Sequence, residues 1–280
     1  MFLKKTVRQL LIVLFIALIG LLATTGSVSF APLGGTGTGP GGVGSTDGLS
    51  TLEIWVKGDT GVYSDSGCTT AASNGGTLGC WADQSGNGND LNSSTSPTYQ
   101  TGIINSQPVI RNTASTSIRD ASFTQNDVSI TLILAAQAAS ALQSDNFDSL
   151  MSMGAATGDS FQIDFSATSG GNYQFNKVSG GAVAYGTADT SPHILTLVID
   201  GSNVNTFYDG GTGSSQSSTF TPDFTEFRLF ANRGDNQFFV GDLAESILYL
   251  TALNSAERTL VENYLAAKYG IALSSGDKYA

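Results

Sequence analysis

The sequence predicts an all-β protein: a two-sheet antiparallel sandwich with one C-terminal α-helix. Three observations predict it. Short apolar runs, several of them in the alternating pattern of half-buried strands, are separated by turn residues along most of the chain. Gly is abundant, at 34 residues, while charged residues make up only 12%, a composition of exported β-proteins rather than of cytosolic α/β enzymes. The one well-signalled helical stripe comes last.

Leu52-Glu53-Ile54-Trp55-Val56 alternates and reads as the first strand. Val128–Ala136 is continuously apolar and rich in β-branched residues, as a strand buried on both faces would be. Phe161–Phe165 and Tyr173–Val178 alternate. Ile194–Ile199 and Val204–Tyr208 flank Asp200-Gly201-Ser202-Asn203, a hairpin signal because Asp-Gly tolerates the positive φ of a tight turn. Phe227–Ala231 and Leu243–Leu250 complete the series. The final helix has Asn254 as cap and Glu257 to close a capping box. Leu260, Val261, Tyr264, Leu265 and Lys268 form its stripe, with the lysine head expected to reach water. Gly270 stands where a left-handed residue ends a helix.

Ahead of the sandwich, residues 1–31 read as a signal peptide or an N-terminal anchor. Lys4, Lys5 and Arg8 precede the apolar run Leu10–Ala23, which is shorter than the roughly 20 residues of a comfortable membrane span. Ser29 and Ala31 offer a small-x-small cleavage pattern, and a cut after Gly26 is the alternative. Residues 32–48 are mostly Gly, Thr, Pro and Ser and are expected to form a linker. The domain is expected over 49–274, with a tail at 275–280. Twelve basic against 23 acidic residues give a net charge of −11, and loss of the leader makes the remainder more acidic still. Such a surface repels nucleic acid and anionic lipid, so neither is an expected partner, the membrane being met only through an uncleaved N-terminus. The two cysteines, Cys68 and Cys80, are expected to form a disulfide, which places the domain in a secreted or cell-surface setting.

Several motifs occur in a recognisable order. Leu52-x-Ile54-Trp55-Val56-Lys57-Gly58-Asp59-Thr60-Gly61-Val62, Trp81-x-Asp83-Gln84-Ser85-Gly86-Asn87-Gly88-Asn89, Gln107-Pro108-Val109-Ile110, Gly241–Tyr249 and Lys268-Tyr269-Gly270-Ile271 together resemble a group of bacterial surface domains. These belong to the concanavalin A-like, laminin G-like jelly-roll superfamily, so the resemblance makes the expected sandwich a jelly roll. The resemblance spans roughly Leu49 to Leu273. It departs at Arg111-Asn112-Thr113, where the family often has Phe-Asp-Gly, and at the cysteine-bearing loop Ser64–Gly79, which looks like an insertion. The superfamily includes lectins, receptor-binding modules and some glycosidases, and many members hold a structural calcium ion.

Two kinds of candidate site follow. Calcium takes six to eight oxygen ligands, and Asp83, Asn87, Asn89 and Asp90 in a Gly-rich turn, with Asp242 and Asp59 beyond it, are the candidate donors. The competing reading is a turn whose side chains bond their own backbone. Tyr63, Tyr99, Tyr173 and Tyr185 lie in or near expected loops and are the candidate ligand-binding residues, whereas Trp55 and Trp81 are expected in the core. The closely spaced carboxylates that a retaining glycosidase places on one strand are not visible, and His193 has no nucleophile motif beside it. The expectation is therefore a protein that is not an enzyme: an exported recognition module, binding extracellular glycans or surface proteins in adhesion. A structural subunit of a surface layer or filament is the alternative, and a glycoside hydrolase with a divergent site is the third reading.

Overall fold

A computed structural model describes residues 38–93, 97–140, 146–154, 160–166, 171–177, 181–217 and 224–274. In chain order the strands are β1 (Leu52–Lys57), β2 (Val62–Tyr63), β3 (Cys80–Trp81), β4 (Leu91–Asn92), β5 (Thr98–Ile104), β6 (Gln107–Asn112), β7 (Ile118–Asp120), β8 (Ser129–Ala138) and β9 (Asn146–Met153). They continue with β10 (Phe161–Ser166), β11 (Asn172–Lys177), β12 (Ala182–Thr187), β13 (Pro192–Asp200), β14 (Asn203–Tyr208), β15 (Gly211–Ser217), β16 (Phe227–Leu229) and β17 (Gly241–Tyr249), and then helix α1 (Ser255–Tyr269).

These strands form two antiparallel sheets. The first runs β15-β14-β13-β8-β17-β6-β5, and β1 also pairs with β17. One edge of β17 is thus shared, with Gly241–Leu243 facing β6 and Glu245–Tyr249 facing β1. The second sheet runs β12-β11-β10-β9-β16-β7-β4-β3-β2.

Side-chain parity explains the patterns in the sequence. Along β8, Ile130, Leu132, Leu134 and Ala136 enter the core between the sheets, while Ile133 and Ala135 enter a second core. That second core lies under α1 and includes Val261, Leu265 and Tyr269. A strand apolar on both faces is the result. In β10, Phe161, Ile163 and Phe165 are core and Gln162 and Asp164 take the opposite face. Each large side chain fully buried this way stabilises the fold by about 1.5–3 kcal/mol.

The helix begins as its sequence indicates. Asn254 Oδ1 accepts from the N–H of Ala256 and Glu257, and Glu257 Oε2 accepts from Asn254 N. Gly270 ends it at φ 67°. Its buried stripe is rotated from the expected one. Leu260 is exposed, whereas Arg258 and Glu262 are buried. They are tolerated there because they pair at 2.5 Å, because Glu262 accepts from the Thr196 hydroxyl, and because Arg258 lies over the Phe207 ring. Lys268 does not reach bulk water either, since it is held between Glu245 and Asp59.

The linker expected over 32–48 is corrected from Thr38 onward. Thr38 pairs with Ser45, Pro40–Gly42 form a short 3-10 turn, and Val43 is buried with its carbonyl accepting from the Tyr249 hydroxyl. Gly41 explains the choice of residue. A Cβ there would stand 2.6 Å from the Leu260 carbonyl oxygen, so only glycine lets this segment lie against α1. The expected signal peptide and the tail at 275–280 lie outside the described residues, as does the linker before Thr38. Among the described residues no helix is long and apolar enough to cross a membrane.

Candidate functional site

The structure brings two of the four candidate tyrosines together. Tyr63 on β2, at one edge of the second sheet, and Tyr99 on β5, at one edge of the first, line a cleft of about 240 Å³ with Asp59, Thr60, Gly61 and Ala72. The cleft floor is built by glycines. Gly58 passes so near β6 that a Cβ would stand 2.4 Å from the Pro108 carbonyl oxygen, and Gly61 holds φ +74°. Its far wall is the cysteine-bearing loop. Ala71 bridges to Tyr63, and Asp65 caps the loop by accepting from the N–H groups of Thr69 and Thr70. Those hydrogen bonds, the one from Thr70 first, hold the Asp65 carboxyl below its usual range. Partial burial, and then the facing Asp59 carboxylate, raise the Tyr99 hydroxyl above its ordinary pKa.

The disulfide forms as expected. Cys68 and Cys80 are bonded with their Cα atoms 5.4 Å apart, tying the loop to the strand that pairs with Tyr63. An oxidising setting for the domain follows from that bond.

Tyr173 and Tyr185 are corrected. Both lie on strands rather than loops and point into the core, at 0% and 5% exposure. Tyr173 shares a face with Phe175, and Tyr185 with Val183. Trp81 and Trp55 are core residues as expected. Trp81 Nε1 donates to the Lys57 carbonyl, and Trp55 Nε1 to Glu245.

The Asp83–Asp90 turn closes on its own hydrogen bonds. Asp83 Oδ1 accepts from Trp55 N and Ser85 N, and Oδ2 accepts from the Ser85 hydroxyl and Asn89 N. Asp90 Oδ1 accepts from Asp83 N. Asn87 and Asn89 donate their amide N–H groups to the Leu52 and Glu53 carbonyls, anchoring the turn to β1. Asp242 is not beside this turn as a further ligand. It forms a two-pronged ion pair with Arg111, at 2.6 and 2.7 Å. Among the described residues, the acidic, Cys and His groups that bring three ligand atoms all within 4.8 Å of one another are Cys68, Cys80 and Asp90, and the disulfide consumes both thiols.

Sequence reasoning missed a polar row on the face of the second sheet turned away from the core, buried at Arg228, Ser152 and Gln162 under the loop that carries Ala231, Arg233 and Asp235. Cross-strand register aligns Asn92, Arg119, Arg228, Ser152, Gln162 and Asn176. Directly paired residues share a face, and their chain neighbours Ile118, Leu229, Met151, Ile163 and Phe175 are core. The signal was the alternation in Phe161–Phe165 and Tyr173–Lys177. Asn92 and Arg119 open onto a second cleft, of about 510 Å³, with Asp120 and Ser122. Beside this row Asp164 is fully buried. Desolvation pushes its carboxyl up to about 7, against hydrogen bonds from Ser149 and Asn176 and the charge of Arg233.

His193 is the second residue of β13. Nδ1 lies 2.7 Å from Asp209 Oδ2, Nε2 lies 3.0 Å from Asp189 Oδ1, and the ring stacks on Tyr208. Burial pulls the imidazole pKa down, but the two carboxylates outweigh it and leave the pKa raised.

No protein-family model matches the chain, and no curated protein matches it. Solved structures do. The chain is similar to domain 4 of AbnA, a GH43 extracellular arabinanase from Geobacillus stearothermophilus, in complex with arabinotriose. The TM-score is 0.57 at 15% identity, over 76% of this chain and 98% of that one. It is also similar to a mutant GH54 α-L-arabinofuranosidase, with TM-score 0.52 and 13% identity over 82% of this chain and 61% of that one. The binding domain of Botulinum neurotoxin DC in complex with rat synaptotagmin II gives 0.51 and 11%, over 77% of this chain and 52% of that one. At these identities the likeness is one of fold.

The comparison corrects one expectation. A protein that is not an enzyme was expected from the missing carboxylate pair, yet this fold is shared with chains of GH43 and GH54 glycoside hydrolases. The sandwich therefore gives no argument against catalysis.

Proposed function

We propose that this domain recognises a glycan outside the cytoplasm, taking the sugar in the cleft between Tyr63 and Tyr99. The observation that carries this reading is the convergence of two half-buried tyrosines from the edges of different sheets on one small cleft. Aromatic faces suit the apolar side of a sugar ring, and the Thr60 hydroxyl and nearby backbone groups suit its hydroxyls. A volume of about 240 Å³ is below the roughly 300–1,000 Å³ of drug-sized ligand sites, which favours one or two rings at the end of a longer chain. The arabinotriose held by the AbnA domain supports the class of ligand. The motif resemblance to concanavalin A-like surface domains supports the same reading, with attachment to glycan-bearing surfaces as its use.

Calorimetric titration of the full chain with arabino-oligosaccharides, followed by a glycan array, tests the proposal. Binding is expected, with loss of about tenfold or more in affinity for Tyr63→Ala and Tyr99→Ala, from a stacking contribution of about 1–2 kcal/mol each. Binding that survives both changes and is lost in Arg119→Ala would move the site to the other cleft. Product analysis of the titrated glycan reports hydrolysis in the same experiment.

A further inference from the structure

We infer that Lys268 and Asp59 are the two ends of a self-forming amide cross-link, with Glu245 as the proton carrier. Lys268 Nζ, in the last turn of α1, lies 3.1 Å from Asp59 Oδ2 and 2.8 Å from Glu245 Oε2. The side chain of Glu245 is fully buried and that of Lys268 only 13% exposed. An ordinary ion pair needs one carboxylate, whereas here two carboxylates from different parts of the chain meet one amine. Glu245 is fixed by three further donors: Trp55 Nε1 at 2.5 Å, the Tyr269 hydroxyl at 2.8 Å and the Tyr264 hydroxyl at 3.3 Å. The rings of Tyr264 and Tyr269 flank the amine at 5.5 and 5.2 Å.

The 3.1 Å contact between Lys268 Nζ and Asp59 Oδ2 keeps the amine beside the Asp59 carboxyl group, and groups held together in one fold gain the large effective molarity of an intramolecular reaction. The amine and Glu245 are sheltered from water, which costs the lysine charge part of its hydration, while the Asp59 side chain is 35% exposed at the cleft rim, where the released water can leave. Lys268 enters as an ammonium and Asp59 as a carboxylate. Glu245 takes a proton from the ammonium and passes it to Asp59, and the freed amine adds to Asp59 Cγ to form the N–C bond. A second proton from nitrogen, again carried by Glu245, reaches the leaving oxygen, and the C–O bond breaks to release water. The nitrogen keeps one proton, Glu245 ends as it began, and one positive and one negative charge are lost together. No oxidant or other reactant is needed. The product ties the turn after β1 to α1 covalently and leaves an amide carbonyl at the rim of the tyrosine cleft.

The test is peptide mapping of the full chain after incubation folded at neutral pH, then denaturation, reduction and tryptic digestion. The expected product is residues 58–111 joined to residues 259–278, lighter than the sum of the two by one water and uncut after Lys268. Asp59→Asn should give the same joined product with loss of ammonia instead. Lys268→Arg, which keeps the charge, and Asp59→Ala should give none. Complete cleavage after Lys268 in the wild-type protein, with no joined product, would overturn the proposal. Joining to the wild-type extent in Glu245→Gln would overturn the role given to Glu245.

Discussion

Replacing Asp164 by asparagine is expected to make the protein more stable at pH 8 and to leave it little changed at pH 4. Asp164 is 0% exposed, and burial lifts its carboxyl from 3.8 to about 7. The folded protein therefore holds a proton that the unfolded chain has released across that interval. Stability falls with rising pH wherever the native state binds more protons. At 1.36 kcal/mol per pH unit, this one group removes about 4 kcal/mol between pH 4 and pH 7 and no more above it. Asparagine keeps the oxygen that accepts from the Ser149 hydroxyl at 2.5 Å. Its amide N–H groups face the Asn176 amide, which can turn its oxygen toward them. Urea unfolding of both proteins at pH 4, 6 and 8, followed by fluorescence of the buried Trp55 and Trp81, measures the effect. The difference between the two proteins should grow with pH up to about 7 and then level off. Equal losses of stability in both proteins over that range would refute the argument that burial controls this carboxyl.

Other predictions concern charges placed elsewhere. The raised pKa of His193 means that its pairing with Asp189 and Asp209 is fully present below the unfolded value of 6.5 and lost as pH rises through the folded one. His193→Gln, made in the Asp164→Asn background, should flatten the decline in melting temperature above pH 6.5, and an NMR titration of the imidazole should show the raised midpoint. Removing the partner of Asp242 by Arg111→Met should cost about 1–2 kcal/mol in urea unfolding, between an exposed and a fully buried pair, because the Asp242 side chain is 8% exposed but that of Arg111 is 35% exposed. Adding Asp242→Asn to that variant should recover part of the loss. Both oxygens of Asp83 already accept two hydrogen bonds each, so equal melting temperatures with calcium and with chelator are expected, whereas Asp83→Ala should lower both. A rise of several degrees with calcium would place an ion in the native turn.

Features set by local rules were legible in the sequence. The Asp200–Asn203 hairpin formed as read, with Gly201 at positive φ and Asp200 accepting from the N–H of Ser202 and Asn203. The helix caps did likewise. Features set by partners far along the chain were not legible. Residues 38–48 carry little to bury, and what orders them is the shelter of Tyr249 and α1. The glycines of this segment looked like freedom and act as clearance. Arg258 and Glu262 broke the apolar stripe because their pairing is invisible in a hydrophobic period. The misplaced tyrosines had a usable signal: Tyr173 is in phase with Phe175 and Tyr185 with Val183, so period-two parity alone put them inside. The tyrosine cleft was half visible, as residues without a location. Its formation depends on β2 and β5, at the edges of different sheets, meeting in space.

The shared edge of β17 bears on how this chain acquires its structure. Trp55 and Glu245, which meet across β1 and β17, are 190 positions apart. The first long strand therefore has no seat in its sheet until nearly the whole chain is available. Closing so large a loop makes folding slow and leaves apolar strands exposed meanwhile. It also keeps an emerging chain from completing its sandwich before its last strand is available.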